Sequence, residues 1–244
     1  MPRSSSPQAL SIVSVTHTES VELTIQEIMK FDDRNFGFSH DRTWLCLPDS
    51  LKGKFTADAV LRQFSSRTHP RIAATIAGLC DLGVRQPRDT YRFRDFKDAG
   101  LNEVQGLRYG PDVTILARAA CWYVENGVIR IPILQPRADP LTLSKLGIYA
   151  ALAGKAYCRD EWRDAQIEVI DLSEKDADGK VVARVLTSDV IPVASDDQVV
   201  ALLDVYLEAK RAVDKIRAER GPKKKPDRGP RPGDTVDMFP GGPD

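Results

Sequence analysis

Apolar positions recur along this chain at two spacings, three-to-four and two, and the switches between them mark out its elements. The run LSIVSV (10–15) is rich in β-branched residues and predicts a strand. Thr16 followed by Glu19 has capping-box spacing, and Val21, Ile25 and Ile28 share one helical stripe, so a helix follows. A polar, glycine-containing loop, FDDRNFGFSHDR, precedes TWLCL (43–47), a short apolar run that predicts another strand. Thr56 is placed to cap a helix over 57–65. Pro70 suits the first turn of a second helix, 70–82, closed by Gly83.

The middle of the chain is more regular. TYRFRDF (90–96) alternates as a strand does, and residues 113–125 and 128–136 are two β-rich runs joined by Asn126-Gly127, the pair favoured in tight hairpin turns. Thr142 opens a helix to Lys155 with Leu143, Leu146 and Ala150 on one face. Strands are predicted over 165–172 and 180–187, separated by the polar turn SEKDADG. Ser195-Asp196-Asp197 then caps a long helix to about Arg220. Strung together, residues 70–172 read helix, three strands, helix, strand. The expected fold is α+β: one domain over 1–220, with a central mixed sheet, flanking helices and an αβββαβ core. Residues 221–244 are rich in Pro and Gly and nearly devoid of apolar residues, so a disordered tail is expected there. Within it DTVDMFP (234–240) groups Val236, Met238 and Phe239 among acidic residues, a pattern suited to docking on a protein partner.

Composition changes this picture little. Lys and Arg balance Asp and Glu at 35 each, so the whole chain is not a polycation built to coat nucleic acid. Locally the balance shifts: residues 62–118 carry ten Lys/Arg, nine of them Arg, against six Asp/Glu. Arg85, Arg88, Arg92, Arg94 and Arg108 are candidate phosphate contacts there, because a guanidinium fork matches phosphate oxygens. The four cysteines, at 46, 80, 121 and 158, form no CxxC pair, which argues against a zinc ribbon. Dinucleotide, P-loop and GxSxG patterns do not occur. The N-terminal residues lack the apolar core of a signal peptide and no membrane span is expected, so the expected location is cytoplasmic.

Pro111-Asp112 at the entrance of one predicted strand, and Gln135-Pro136-Arg137 at the end of the next, carry the most specific chemistry. Together with the αβββαβ order they resemble the PD-(D/E)XK nuclease superfamily, the restriction-endonuclease-like fold. That family places an Asp at the start of one strand and Glu-x-Lys on the next. Lys145 and Tyr149 stand at the spacing of the Gln-x-x-x-Tyr helix of the RecB-like branch, and ILQPR is similar to a strand of phage-associated members. The resemblance implies that Asp112 holds Mg²⁺, Gln135 assists, Arg137 and Lys145 contact phosphate, and Tyr149 lies along the nucleic acid. In such a site two carboxylates share a magnesium that activates water for attack on phosphorus.

This chain departs from that pattern in its chemistry. Gln135 offers a neutral oxygen where the family has a carboxylate, and Arg137 stays protonated, so it can clamp a phosphate but not act as a base. The expected function is therefore nucleic-acid binding by a degenerate nuclease-like protein, a Mg²⁺-dependent phosphodiesterase if active. The alternative is a non-enzymatic module that docks protein partners through its sheet or through residues 234–240.

Overall fold

The computed structural model describes residues 6–33, 40–64, 69–95, 101–110 and 113–220. Its described residues form seven helices, a five-stranded mixed sheet and a separate two-stranded ribbon. Asp112, Pro111, the side chain of Arg94 and the segment 221–244, with its expected disorder and its docking stretch 234–240, lie outside the described residues. No helix among the described residues is long and apolar enough to cross a membrane.

The helices are α1 (Ala9–Val15), α2 (Val21–Asp33), α3 (Asp41–Leu51), α4 (Ala57–Phe64), α5 (Pro70–Arg85), α6 (Leu143–Tyr157) and α7 (Asp196–Arg220). The strands are β1 (Thr90–Arg92), β2 (Val104–Tyr109), β3 (Val113–Arg118), β4 (Cys121–Glu125), β5 (Val128–Gln135), β6 (Gln166–Asp171) and β7 (Arg184–Leu186). The large sheet runs β1-β4-β5-β6-β7, with β5 and β6 parallel and every other pair antiparallel. A parallel pair needs a crossover, and α6 supplies it, packing on β6 and on the β2–β3 ribbon. The mixed α+β class and the order α5, β1, β4, β5, α6, β6 match the expectation; the ribbon is inserted between β1 and β4.

The hairpin between β4 and β5 turns as expected, with Asn126 and Gly127 both at positive φ, 52° and 76°. Thr142 caps α6 by accepting from the Lys145 amide, and Ser195 and Gln198 exchange reciprocal cap bonds at the start of α7.

Three expectations fail because burial outweighs local propensity, and a fourth is a cap placed on a later residue. Residues 10–15 are helical, not extended, because the helix buries Ile12 and Val13 completely. Residues 43–47 likewise lie inside α3, which packs on α5 and buries Trp44 and Leu47. Gly83 permits that packing: a Cβ there would sit 1.8 Å from the Ser50 carbonyl oxygen. TYRFRDF is a strand only over 90–92, then a 3-10 turn that buries Phe93. Ser20, not Thr16, caps α2, accepting from the Leu23 amide.

The most consequential correction concerns residues 113–125, expected as one strand. They divide into β3, paired with β2, and β4, paired with β1 and β5, so one run of sequence serves two sheets. The switch falls at Ala119-Ala120, both buried and small enough for the chain to cross. Tyr157 holds it: its hydroxyl accepts from the Ala119 amide at 2.9 Å and donates to the Glu103 carbonyl at 2.7 Å. Tyr109 and Val113, which flank residues 110–112, pair within the ribbon, whereas Gln135 ends a strand of the large sheet.

Candidate functional site

Where β5 ends, the chain turns through residues 136–142 into α6, and Gln135 sets that turn. Its side chain is fully buried; Nε2 donates to the Asp139 carbonyl at 2.9 Å and Oε1 accepts from the Arg137 amide at 3.0 Å. The amide thus braces a loop and has its oxygen engaged. Tyr149 is also structural at its polar end: buried, it donates to the Leu134 carbonyl at 3.2 Å.

The braced turn projects Arg137 towards α1, where Nη2 donates to Ser11 Oγ at 3.0 Å. Lys145, one turn into α6, reaches the Ser14 carbonyl at 3.4 Å on the same helix. From the first turn of α5, Arg71 meets the other side of the loop. Its Nε and Nη2 donate to the carbonyls of Pro136, Arg137 and Leu172 at 2.5–3.3 Å, while Nη1 is buried with no partner. His69 positions this turn by accepting from the Arg71 amide at 3.2 Å. Arg118 on β3 pairs with Asp41 and lies over the Trp44 ring, 5.4 Å from its centroid.

These groups line one pocket of about 970 Å³. Among the described residues five cations, Lys30, Arg71, Arg118, Arg137 and Lys145, line it with three carboxylates, Glu27, Asp41 and Asp139. Two of the three carboxylates are already paired, Glu27 with Lys30 at 2.7 Å and Asp41 with Arg118. The field acts on His40 at the rim. Burial chiefly, then the charges of Arg71, Arg137 and His69, push its imidazole down to about 4, against an upward pull from Asp41. Burial also lowers Arg71, Arg137 and Lys145 from their ordinary values. A pocket that makes its own cations costly to keep charged is suited to an anion.

His40 gives a direct check. The unfolded chain takes up a proton near the ordinary histidine value of about 6.5, the folded chain only near 4. Stability is therefore expected to fall as pH drops through that window, and an NMR titration should leave the His40 ring neutral at pH 5. Added inorganic phosphate should move its midpoint upward. A midpoint at the ordinary value, indifferent to phosphate, would contradict the field described.

Of the residues expected at the site, Arg137, Lys145 and Tyr149 line this pocket and Gln135 supports it. Of the other expected phosphate contacts, Arg85, Arg88, Arg92 and Arg108 lie elsewhere. Arg88 is a buried core residue, paired with Glu168 at 3.1 Å, because its segment runs under α3 to the edge of the sheet. Arg92 pairs with Asp49 at 2.9 Å. Arg85 is exposed in the last turn of α5, far along the helix from Arg71, and Arg108 is exposed on the ribbon. The sequence reading missed Arg71, Arg118 and His40, which approach from segments 19 to 97 residues away from Arg137. Pro70 at the first turn of a helix was the one local sign that the residue after it would be rigidly held.

Among the described residues no group of three or more His, Cys, Asp or Glu side chains gathers to hold a metal ion, and Gln135 has its oxygen engaged; Asp112 lies outside them. No family model, curated protein or solved structure matches the chain.

Proposed function

We propose that this protein binds nucleic acid through its phosphates, using the cationic pocket at the end of β5, on a degenerate scaffold of the PD-(D/E)XK type. The observation that carries the reading is the convergence of Arg137 and Lys145 with Arg71 and Arg118 on one pocket. Two further features support it. In the large sheet Gln135 ends the third strand after α5 in chain order, Arg137 lies in the turn that follows, and Lys145 is on the crossover helix. The chemistry of the pocket is that of a phosphate clamp: forked guanidinium donors and an ammonium.

Binding by the full chain to short DNA and RNA, followed by fluorescence anisotropy, tests this. Affinity should fall steeply with salt, and Lys145→Gln should weaken binding severalfold and reduce the log–log salt slope by about one. No binding even at about 50 mM salt, where phosphate contacts are strongest, would sink the reading and favour a protein-docking module working through the sheet or residues 234–240.

A further inference from the structure

Lys145 differs from Lys30, which lines the same pocket, in what surrounds its charge. Lys30 is exposed and paired with Glu27 at 2.7 Å. Lys145 is half-buried, and the one polar contact its Nζ makes among the described residues is with the Ser14 carbonyl at 3.4 Å. No described carboxylate lies within ion-pair distance of it. Its place on α6 works in the same direction. Lys145 stands in the first turn, at the positive end of the helix dipole, and that turn carries no acidic residue to offset it.

Burial lowers the ammonium from the ordinary lysine value; Glu27 pulls the other way, and burial prevails. A lysine that is desolvated and short of an anionic partner keeps more of its amine neutral at a given pH, and the neutral amine is a nucleophile. The Ser14 contact needs only an N–H, which a neutral amine retains, so the lone pair is left for an incoming carbonyl carbon. The surroundings select the carbonyl compound. The pocket is half-open, so a chain lying along its mouth can present a group to Lys145. Arg137 meets α1 at Ser11 and Lys145 meets it at Ser14, roughly 4.5 Å further along the helix axis. A guanidinium and an amine therefore stand about one sugar apart, the arrangement of a phosphate and an aldehyde carried on the same sugar.

Resting on the nucleic-acid reading above, we infer that Lys145 forms an imine with the aldehyde of a phosphate-bearing sugar, the ring-opened sugar of an abasic nucleotide within a strand. A small phosphorylated aldehyde presents the same chemistry, and the experiment separates the two sources. Nζ attacks the aldehyde carbon, the carbonyl oxygen leaves as water with two protons from the nitrogen, and a protonated C=N bond remains. Nothing is oxidised or reduced in this step.

The full chain is incubated with a single-stranded oligonucleotide carrying one abasic site, and cyanoborohydride is added to reduce any imine to a stable secondary amine. Peptide mapping by mass spectrometry then locates the adduct. It should fall chiefly on Lys145, on the order of tenfold above the exposed Lys175 and Lys180, as a positioned and desolvated amine requires. Lys145→Arg, with its fold checked by circular dichroism, keeps the charge but not the nucleophile and should lose most of the adduct at saturating oligonucleotide. If the oligonucleotide binds but its adduct is spread over exposed lysines, or forms as well in Lys145→Arg, the inference is overturned and phosphate binding stands. If no oligonucleotide binds but pyridoxal 5′-phosphate labels Lys145 in preference to pyridoxal, the amine site stands with a small phosphorylated aldehyde as its source, and the nucleic-acid reading fails. No binding, with Lys145 labelled by neither aldehyde, sinks both.

Discussion

Replacing Arg88 with methionine is expected to destabilise the protein by about 3–5 kcal/mol, the cost of leaving a buried charge without its partner. Arg88 and Glu168 are both almost wholly buried, with N and O 3.1 Å apart, on the side of the sheet beneath α3. Tyr123 completes the group: its hydroxyl donates to the other Glu168 oxygen at 2.7 Å, and the guanidinium lies over its ring, 4.9 Å from the centroid. Burial pushes the Glu168 carboxyl up, while the Arg88 charge and the Tyr123 hydrogen bond pull it down, and the upward effect prevails. Without Arg88 the carboxyl rises further, so the folded variant gains a proton at a pH where the unfolded chain has none. The loss should accordingly be larger at pH 8 than at pH 5, because protonation relieves the folded state alone. For a chain of this size the melting temperature should fall by roughly 10 °C. The triple substitution Arg88→Met, Glu168→Leu and Tyr123→Phe should recover most of the loss, since an apolar group of similar volume leaves no buried charge or hydroxyl without a partner. A single variant that melts like the parent at pH 8 would show that the pair is not closed in solution.

That residue also shows where the sequence is readable and where it is not. Arg88 stands in an arginine-rich stretch that reads as a basic surface, and nothing local distinguishes it from Arg85, which is exposed. Its partner Glu168 is 80 residues away in the middle of an apolar strand, where a charged residue signals pairing without naming the partner. Short-range chemistry was legible: the Asn126-Gly127 turn, the Thr142 and Ser195 caps and the Pro70 start all have causes within four residues. Burial was not, and it decided α1 and α3 against their β-branched and aromatic composition. The division of 113–125 between two sheets was hidden for the same reason, because Tyr157, which holds the switch, comes 38 residues later. At the site, Arg137, Lys145 and Tyr149 were found because a strand end and the next helix are adjacent in sequence. Arg71 could be placed only by the fold, since its contacts to the loop span 65 and 66 residues.

Arg71→Met is expected to have the second large effect, on stability and on the pocket together. The guanidinium ties the first turn of α5 to the β5–α6 turn through Pro136 and Arg137 and to the residue after β6 through Leu172. Removing it leaves three carbonyls without their charged donor, and about 2–4 kcal/mol should be lost, since water can reach part of the site and replace some of those bonds. Arg71→Lys keeps the charge but offers no planar fork, so it should restore the field while leaving the stability loss largely in place. The two effects can be read separately. Arg71 is the largest of the charges that depress His40, after burial itself. In Arg71→Met the His40 midpoint should therefore rise from about 4 towards its ordinary value, and in Arg71→Lys it should stay low. Phosphate-dependent binding should follow the fork and not the charge, falling on the order of tenfold or more in both variants. If Arg71→Lys binds as tightly as the parent, the pocket works as a diffuse positive field and the assignment of Arg71 as a directed donor is wrong. If Arg71→Met lowers the melting temperature but leaves the His40 midpoint unmoved, Arg71 is a hinge between three segments and not part of the field that would hold an anion.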